Sequence, residues 1–190
     1  MKSAIIIHGM PDKEEYYSAE FPACSNYHWL PWLQKQLIMK DIKTDTPEMP
    51  HAYLPVYEVW KKEFERFDIT PETVLVGHSC GGGFLVRWLS EHTEVTVGKV
   101  VLVAPYLDPE NYIGNGFFDF EIDPQLASRT QGLILFHSTN DEDYIQKSVA
   151  KISVEIQNLK YVEFQNYGHF CVGDMKSEAF TDLLEEIMKT

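Results

Sequence analysis

A serine set between glycines, in the pentapeptide Gly-His-Ser-Cys-Gly at 77–81, has the residue types and spacing best suited to chemistry in this chain. The pentapeptide follows an apolar run at 73–76 and precedes an apolar helical pattern at 84–89. A G-x-S-x-G sequence at a strand-to-helix turn strains the serine backbone and exposes its hydroxyl, and larger side chains at the glycine positions would clash. The spacing therefore predicts that Ser79 is a nucleophile. The G-K-[ST] and G-x-G-x-x-G patterns of phosphate-binding loops are absent.

A serine hydroxyl needs a base to take its proton, so a histidine is expected to act with Ser79. The segment Tyr-Gly-His-Phe at 167–170 follows the last predicted strand and precedes the last predicted helix. A histidine at that point can reach back over the strand ends. We interpret His169 as the general base, and the alternative is a purely structural histidine.

A carboxylate should orient the imidazole and stabilise its protonated form. The loop at 137–143, directly after the apolar run at 133–136, offers three acids. We choose Asp141 and keep Asp143 as the second candidate, with Asp108 after the preceding strand as the third. The alternative for all three is helix capping, since acids stabilise a helix N-terminus without any role in catalysis.

An oxyanion formed by attack on a carbonyl needs two oriented N–H donors. One is predicted to be the backbone amide of Cys80, which follows the nucleophile. The second is expected from the loop after the first strand, where Met10 is the first choice and Gly9 the second. His8 in the same loop either packs beneath it or takes part in the chemistry. The Cys80 thiol is interpreted as a small packed side chain.

The elements that must position these residues alternate between strand and helix. Apolar runs predict strands buried on both faces at 4–7, 74–76, 100–103 and 133–136. More polar runs at 43–46 and 161–164 predict strands that suit the ends of the sheet. Apolar residues at three- or four-residue spacing predict helices within 29–37, 57–67, 145–156 and 178–188, the last with Glu178 in its first turn. The order predicts an α/β fold with a doubly wound, mostly parallel sheet of about six strands and helices on both faces.

The long irregular segment at 106–129 is expected to be either a short lid over the site or a surface excursion. Aromatic residues near the proposed site in sequence are candidates to line an apolar acyl pocket. They are Trp29, Tyr106, Phe117, Phe118 and Phe170.

Length and charge limit the classes of protein to consider. The 190 residues suit a single domain over 1–190, and the formal net charge of −13 disfavours nucleic acid and anionic membranes as partners. The three cysteines without paired spacing and the absence of a long apolar run indicate a cytoplasmic protein. No H-E-x-x-H, H-x-H or cysteine pair is present, so neither a metal nor a cofactor is predicted.

The assembled residues resemble the small serine hydrolases of the retinoblastoma-binding protein 9 and YdeN type, within the α/β-hydrolase superfamily. The resemblance rests on the segments 6–9, 29–33, 77–81, 138–141 and 168–170. It implies a compact α/β-hydrolase fold and a Ser-Asp-His triad at Ser79, Asp141 and His169. In similar proteins paired acids often precede a proline-containing segment, whereas this chain has Asn-Asp-Glu-Asp at 140–143.

These observations predict a serine hydrolase that cleaves a small ester, thioester or amide through an acyl-enzyme on Ser79. A small acyl compound is the expected partner, and the sequence leaves the oligomeric state open. The alternatives are a non-enzymatic interaction protein that retains the hydrolase fold, and an enzyme of acyl transfer or C–C cleavage that uses the same nucleophile.

Overall fold

The structure, a computed structural model, describes residues 2–189 and contains one six-stranded sheet in which every strand pair is parallel. The strands lie in the order β2-β1-β3-β4-β5-β6. They are β1 Ser3–Ile7, β2 Lys43–Asp45, β3 Thr73–His78, β4 Val100–Val103, β5 Leu133–Ser138 and β6 Lys160–Phe164. The prediction of an α/β fold with about six strands is confirmed.

Seven helices connect or flank these strands among the described residues. They are α1 Lys13–Tyr17, α2 Leu30–Ile38, α3 Tyr57–Phe64, α4 Cys80–Glu91, α5 Asp143–Glu155, α6 Val172–Met175 and α7 Thr181–Met188. Two short 3₁₀ turns lie at Cys24–Asn26 and Leu126–Arg129. No helix within residues 2–189 is long and apolar enough to cross a bilayer.

Polarity along the strands agrees with their place in the sheet. The two predicted strands with polar sequences, β2 and β6, form its two edges. The four apolar strands are central, and β4 and β5 are buried along their whole length. Strands covered on both faces need apolar residues at every position, whereas edge strands tolerate polar ones.

The reversal of strand order at β1 places helices on both faces of the sheet. The chain moves outward from β1 to β2 and then returns past β1 to β3, so right-handed crossovers put α2 on one face and α3 and α4 on the other. Trp29, at the start of α2, packs against Phe180, at the start of α7, with ring centroids 5.7 Å apart. On the opposite face, Phe64 of α3 packs against Phe84 of α4 at 5.4 Å.

Some predicted helix boundaries were wrong. The last helix begins at Thr181, and Glu178 is exposed ahead of it, so its first-turn acid is Asp182. The Ala179 N–H donates to the Ser177 hydroxyl at 2.9 Å, and this local bond holds the preceding residues in a turn instead of a helix. The nucleophile helix begins earlier than its apolar pattern, because its first turn consists of Cys80 and glycines that carry no hydrophobic period.

The segment at 106–129 contributes to the core on the α3 and α4 side. Phe117 is buried with its ring 5.2 Å from that of Trp60, and Ile113, Ile122 and Leu126 are buried as well. Asp108 organises the first turn of the segment by accepting hydrogen bonds from the backbone N–H groups of Tyr112 and Ile113 at 2.6 and 3.0 Å.

Candidate active site

Ser79 lies in a tight turn between the end of β3 and the start of α4. Its backbone has φ 52° and ψ −120°, a conformation that a residue with a side chain adopts only under strain. Neighbouring main chain holds it there: the Ser79 N–H donates to the Val103 carbonyl at 2.9 Å, and the Ser79 carbonyl accepts from the Tyr106 N–H at 3.0 Å. Hydrogen bonds to β4 and to the segment that follows β4 therefore hold the strained turn in place.

The glycines around Ser79 are required by close backbone contacts. A Cβ at Gly77 would lie 2.6 Å from the Gly81 carbonyl oxygen, and a Cβ at Gly81 would overlap the carbonyl oxygens of Ile7 and His8. Gly83 meets the Tyr106 carbonyl in the same way. Because the obstacles are backbone atoms, no rotamer change can relieve them.

His169 and Asp141 form a hydrogen-bonded pair at the carboxyl ends of β6 and β5. The His169 Nδ1 lies 3.0 Å from both carboxylate oxygens of Asp141. The Asp141 side chain is fully buried and that of His169 is 26% exposed. A carboxylate in this position keeps the proton on Nδ1 and leaves Nε2 free to accept one, which is the arrangement that a general base needs.

The two other acids considered from the sequence do not contact His169. Asp143 is an exposed residue in the first turn of α5. The Asp108 carboxylate accepts hydrogen bonds within its own segment, including one at 2.7 Å from the Tyr106 hydroxyl. Among the three acids, Asp141 alone has the geometry to orient the imidazole.

Ser79 and His169 both line two cavities that meet at the carboxyl edge of the sheet. One has a volume of about 310 Å³ and the other of about 410 Å³. Met10, Pro11 and Glu15 line both cavities as well. The nucleophile candidate and the base candidate thus face the same cleft, in the place where ligands bind to doubly wound sheets.

Side chains fasten the acid loop to the histidine loop. The Asn140 Oδ1 accepts from the Ser138 hydroxyl at 2.7 Å and from the Gly168 N–H at 3.0 Å. The Ser138 hydroxyl in turn accepts from the Tyr167 N–H at 3.0 Å. These bonds fix the distance between Asp141 and the loop that carries its histidine, a role that the sequence did not indicate for Ser138 or Asn140.

Two further side chains hold the backbone of His169. The His78 Nε2 donates to the His169 carbonyl at 2.8 Å, and the His169 N–H donates to the Asp174 carboxylate at 3.0 Å. Burial, followed by the charge that His169 carries when protonated, lowers the pKa of His78 well below its usual value, so His78 stays neutral. His78 precedes the nucleophile in the pentapeptide, but its spacing to His169 in sequence gave no signal of this contact.

The loop after β1 lies beside Ser79. A Cβ at Gly9 would lie 3.0 Å from the Ser79 Cβ. Buried His8 holds this loop, because its Nδ1 donates to the Gly9 carbonyl at 2.7 Å and its Nε2 accepts from the Met49 N–H at 2.8 Å. Within residues 2–189 the backbone N–H groups of Met10 and Cys80 have no acceptor, so both can donate to a bound oxygen.

The aromatic residues suggested as pocket lining are mostly elsewhere. Trp29 and Phe170 are fully buried in the core beside Phe180. Phe117 packs against Trp60 of α3. Four of the five predicted lining residues line neither cavity beside Ser79: Trp29, Phe117, Phe118 and Phe170. Tyr106 lines the larger cavity. These residues were predicted from their nearness to the site in sequence, but their side chains pack into the hydrophobic core instead.

The thiols around the cleft are held in the protonated form. Burial raises the pKa of Cys80 well above its usual value, and burial raises the pKa of Cys24 and of Cys171 to about 12. Thiolates, not thiols, are nucleophiles. Within residues 2–189 no group of three or more histidine, cysteine or acidic side chains is arranged to hold a metal ion.

Comparison with known proteins places this fold and this site in context. The family model described as serine hydrolase matches residues 20–179. The Bacillus subtilis (strain 168) protein YdeN is 27% identical over an alignment of 181 residues, and the match covers 90% of this chain and 90% of that one. The crystal structure of the B. subtilis ydeN gene product superimposes with a TM-score of 0.77 at 21% identity, covering 98% of this chain and 97% of that one.

More distant solved structures share the architecture. Est1E from Butyrivibrio proteoclasticus matches with a TM-score of 0.65 at 17% identity, covering 98% of this chain and 86% of that one. The monoacylglycerol lipase of Paleococcus ferrophilus matches with a TM-score of 0.63 at 12% identity, over 97% and 93% of the two chains. At identities this low, the TM-scores establish likeness of fold alone. With the family match over most of its length, the chain belongs to the serine hydrolase family.

Proposed function

We propose that this serine hydrolase cleaves a small ester, thioester or amide through an acyl-enzyme on Ser79. The observation that carries the proposal is the buried Asp141 carboxylate bridging Nδ1 of a histidine that shares a cleft with a strained serine. That combination suits nucleophilic catalysis, because the base is oriented and the hydroxyl is exposed to the cleft.

In the proposed reaction, Ser79 Oγ bonds to the acyl carbon while its proton moves to His169 Nε2. The bond to the leaving group then breaks, and His169 returns the proton to the departing oxygen, sulfur or nitrogen. Water repeats the sequence on the acyl-enzyme and releases the acid. The N–H groups of Met10 and Cys80 are the proposed donors to the oxyanion, and their lack of other acceptors within residues 2–189 supports this role.

Two features support a small acyl substrate over a non-enzymatic binding role. The cavities of about 310 and 410 Å³ beside Ser79 suit compact molecules. The strained Ser79 backbone costs folding energy that an interaction protein would have no reason to retain. The name of one structural relative, a monoacylglycerol lipase, is consistent with ester cleavage by this fold.

Labelling with a fluorophosphonate probe tests the proposal. We expect the native protein to be labelled at Ser79, as mapped by mass spectrometry, and heat-denatured protein to be unlabelled. Ser79→Ala should abolish both labelling and hydrolysis of 4-nitrophenyl esters while the circular dichroism spectrum stays unchanged. Labelling at another residue, or none in the native state, contradicts the proposal.

A further inference from the structure

The larger cavity beside Ser79, of about 410 Å³, has a wall of distinct chemistry. Three carboxylates and three phenol rings line it: Asp12, Glu15, Glu110, Tyr106, Tyr112 and Tyr144. No lysine or arginine of residues 2–189 is among its lining residues. A ligand in this cavity is therefore bordered by carboxylates and by aromatic rings.

Two of the three carboxylates lack a partner. Glu110 pairs with Lys147 at 2.7 Å, whereas the side chains of Asp12 and Glu15 have neither an ion pair nor a hydrogen bond within residues 2–189. Lys13, although adjacent in sequence, has its ammonium 5.9 Å from the centroid of the Tyr53 ring. Burial, and to a smaller extent the charge of Asp12, raises the pKa of Glu15.

Two of the three tyrosines that line the larger cavity, Tyr106 and Tyr144, contact each other. The Tyr106 ring meets the Tyr144 ring edge to face, with centroids 5.6 Å apart. The Tyr106 hydroxyl donates to the Asp108 carboxylate at 2.7 Å, so this ring is fixed. Fixed aromatic faces beside carboxylates are the surroundings in which proteins bind ammonium and guanidinium groups.

We infer that this cavity binds a positively charged organic group of the substrate, an ammonium or guanidinium, and that the enzyme selects acyl compounds that carry one. The inference rests on the proposed function, because it takes Ser79 as the reacting residue. The formal net charge of −13 acts in the same direction by raising the local concentration of cations around the protein.

The smaller cavity, of about 310 Å³, suits the uncharged part of the same molecule. Phe21, Tyr27 and Leu30 contribute to its lining. His28, one of the histidines that line it, is neutral, because burial lowers the His28 pKa to about 4. Glu15 lines both cavities, so it is positioned at their junction and is the carboxylate best placed to meet a cation next to the reacting carbonyl.

Pairs of esters that differ only in charge test the inference. Acetylcholine is matched by 3,3-dimethylbutyl acetate, in which carbon replaces the quaternary nitrogen of the alcohol. The 4-nitrophenyl ester of 4-(trimethylammonio)butyric acid is matched by that of 5,5-dimethylhexanoic acid, which places the charge on the acyl side. We expect kcat/KM for the cationic member to exceed that of its neutral partner about tenfold in one pair.

Variants assign the preference to the cavity. Glu15→Gln and Asp12→Asn should each reduce the ratio of cationic to neutral kcat/KM about threefold, because each removes one unpaired carboxylate. Glu185→Gln is the matched control: it makes the same change of charge at an exposed position on α7 that lines neither cavity. The ratio in this control should equal that of the unmodified protein.

The outcomes separate the inference from the proposed function. If Ser79 is labelled by fluorophosphonate but both pairs give ratios near one, the charge selection is wrong and the hydrolase proposal stands. If Ser79 reacts with the probe but the protein hydrolyses no ester, the cationic and neutral esters are compared by the concentration at which each protects Ser79 from labelling. If Ser79 is not labelled at all, the proposed function has failed and the inference fails with it. Equal losses in Glu185→Gln and Glu15→Gln would also overturn it, since they would reflect overall charge.

Discussion

The turn that carries Ser79 and the loops that carry Asp141 and His169 are held by different means. Main-chain hydrogen bonds to β4 and to the segment after it hold the serine turn, and glycines allow the close approach. In the other two loops, the side chains of Ser138 and Asn140 join acid loop to histidine loop. One half of the site is therefore built from backbone and the other from side-chain hydrogen bonds.

The difference has a consequence for substitution. A contact between backbone atoms leaves no side chain that can move aside, so a change in the serine turn displaces the nucleophile as a whole. A loop held by several side-chain hydrogen bonds loses them one at a time, and each loss costs about 1 kcal/mol. Changes in the second half should therefore reduce activity in steps, except at the reacting groups themselves.

The largest effect is expected for Asp141→Asn. The amide keeps the shape of the side chain but favours the wrong imidazole tautomer, and serine proteases lose about 10⁴-fold in kcat from this change. Asp143→Asn, at an exposed position two residues away, should leave kcat within about twofold, since it removes only a helix-end charge. Both variants are compared on one 4-nitrophenyl ester, with thermal melts to exclude unfolding. A crippled Asp143→Asn beside an active Asp141→Asn would reverse the assignment.

Gly81→Ala probes the half built from backbone. Its Cβ would overlap the carbonyl oxygens of Ile7 and His8, so the turn must shift, and a displacement of about 1 Å can cost 10²-fold in kcat. Melting temperature should fall as well. Gly173→Ala is the stability control, because a Cβ at that helical glycine meets nothing within 4 Å and the melting temperature should be equal or higher. Full activity in Gly81→Ala would show that the close approach is unnecessary.

Asn140→Ala probes the half built from side chains and should lower kcat about tenfold. It removes the acceptor shared by Ser138 and Gly168, a loss of about 1–2 kcal/mol in holding the histidine loop. Asn140→Asp keeps an acceptor oxygen and should recover most of the loss. The rate of fluorophosphonate labelling at Ser79 measures the effect without a contribution from product release. Equal rates for Asn140→Ala and the unmodified protein would contradict the proposed fastening.

Mild acid should lower the stability of the whole protein, by less than the substitutions above. Burial lowers the pKa of His78 and brings that of His28 to about 4, so both stay neutral in the folded protein. Below about pH 6.5 the unfolded chain binds protons that the folded chain does not, so the free energy of unfolding falls as the pH falls and is fully retained above that pH. The melting temperature should drop by a few degrees between pH 7.5 and 5.5. In His28→Phe the drop should be smaller, and an equal drop would exclude His28 as a contributor.

The contrast between the two halves also explains what could be predicted from sequence. A turn constrained by backbone requires glycines at fixed local spacing, and the pentapeptide at 77–81 therefore indicated its own geometry. The strands were predictable for a similar reason, since central and edge positions demand different polarity over a few consecutive residues. The role of His78 was not, because its partner lies 91 residues away in sequence.

Side-chain direction was the second quantity that sequence could not supply. Trp29 and Phe170 are close to the cleft along the chain, yet both turn into the core toward Phe180. The start of the last helix was misjudged for a related reason, because the local bond between Ala179 and Ser177 competes with a helical turn. Such choices depend on which partner lies nearby in three dimensions. The lid role of 106–129, the roles of the proposed site residues and the single domain stay predictions.

The edge position of β6 has a consequence for how this enzyme tolerates heat. β3, which leads to the nucleophile, is flanked by strands on both sides, whereas β6 pairs only with β5 and is largely solvated. Local opening starts where backbone bonds are exposed and few apolar contacts resist it, so amide hydrogens of β6 should exchange with solvent sooner than those of β3. An edge that detaches carries His169 away while the rest of the sheet persists. We therefore expect activity to be lost at a temperature below the melting temperature of the core, because the edge strand opens first.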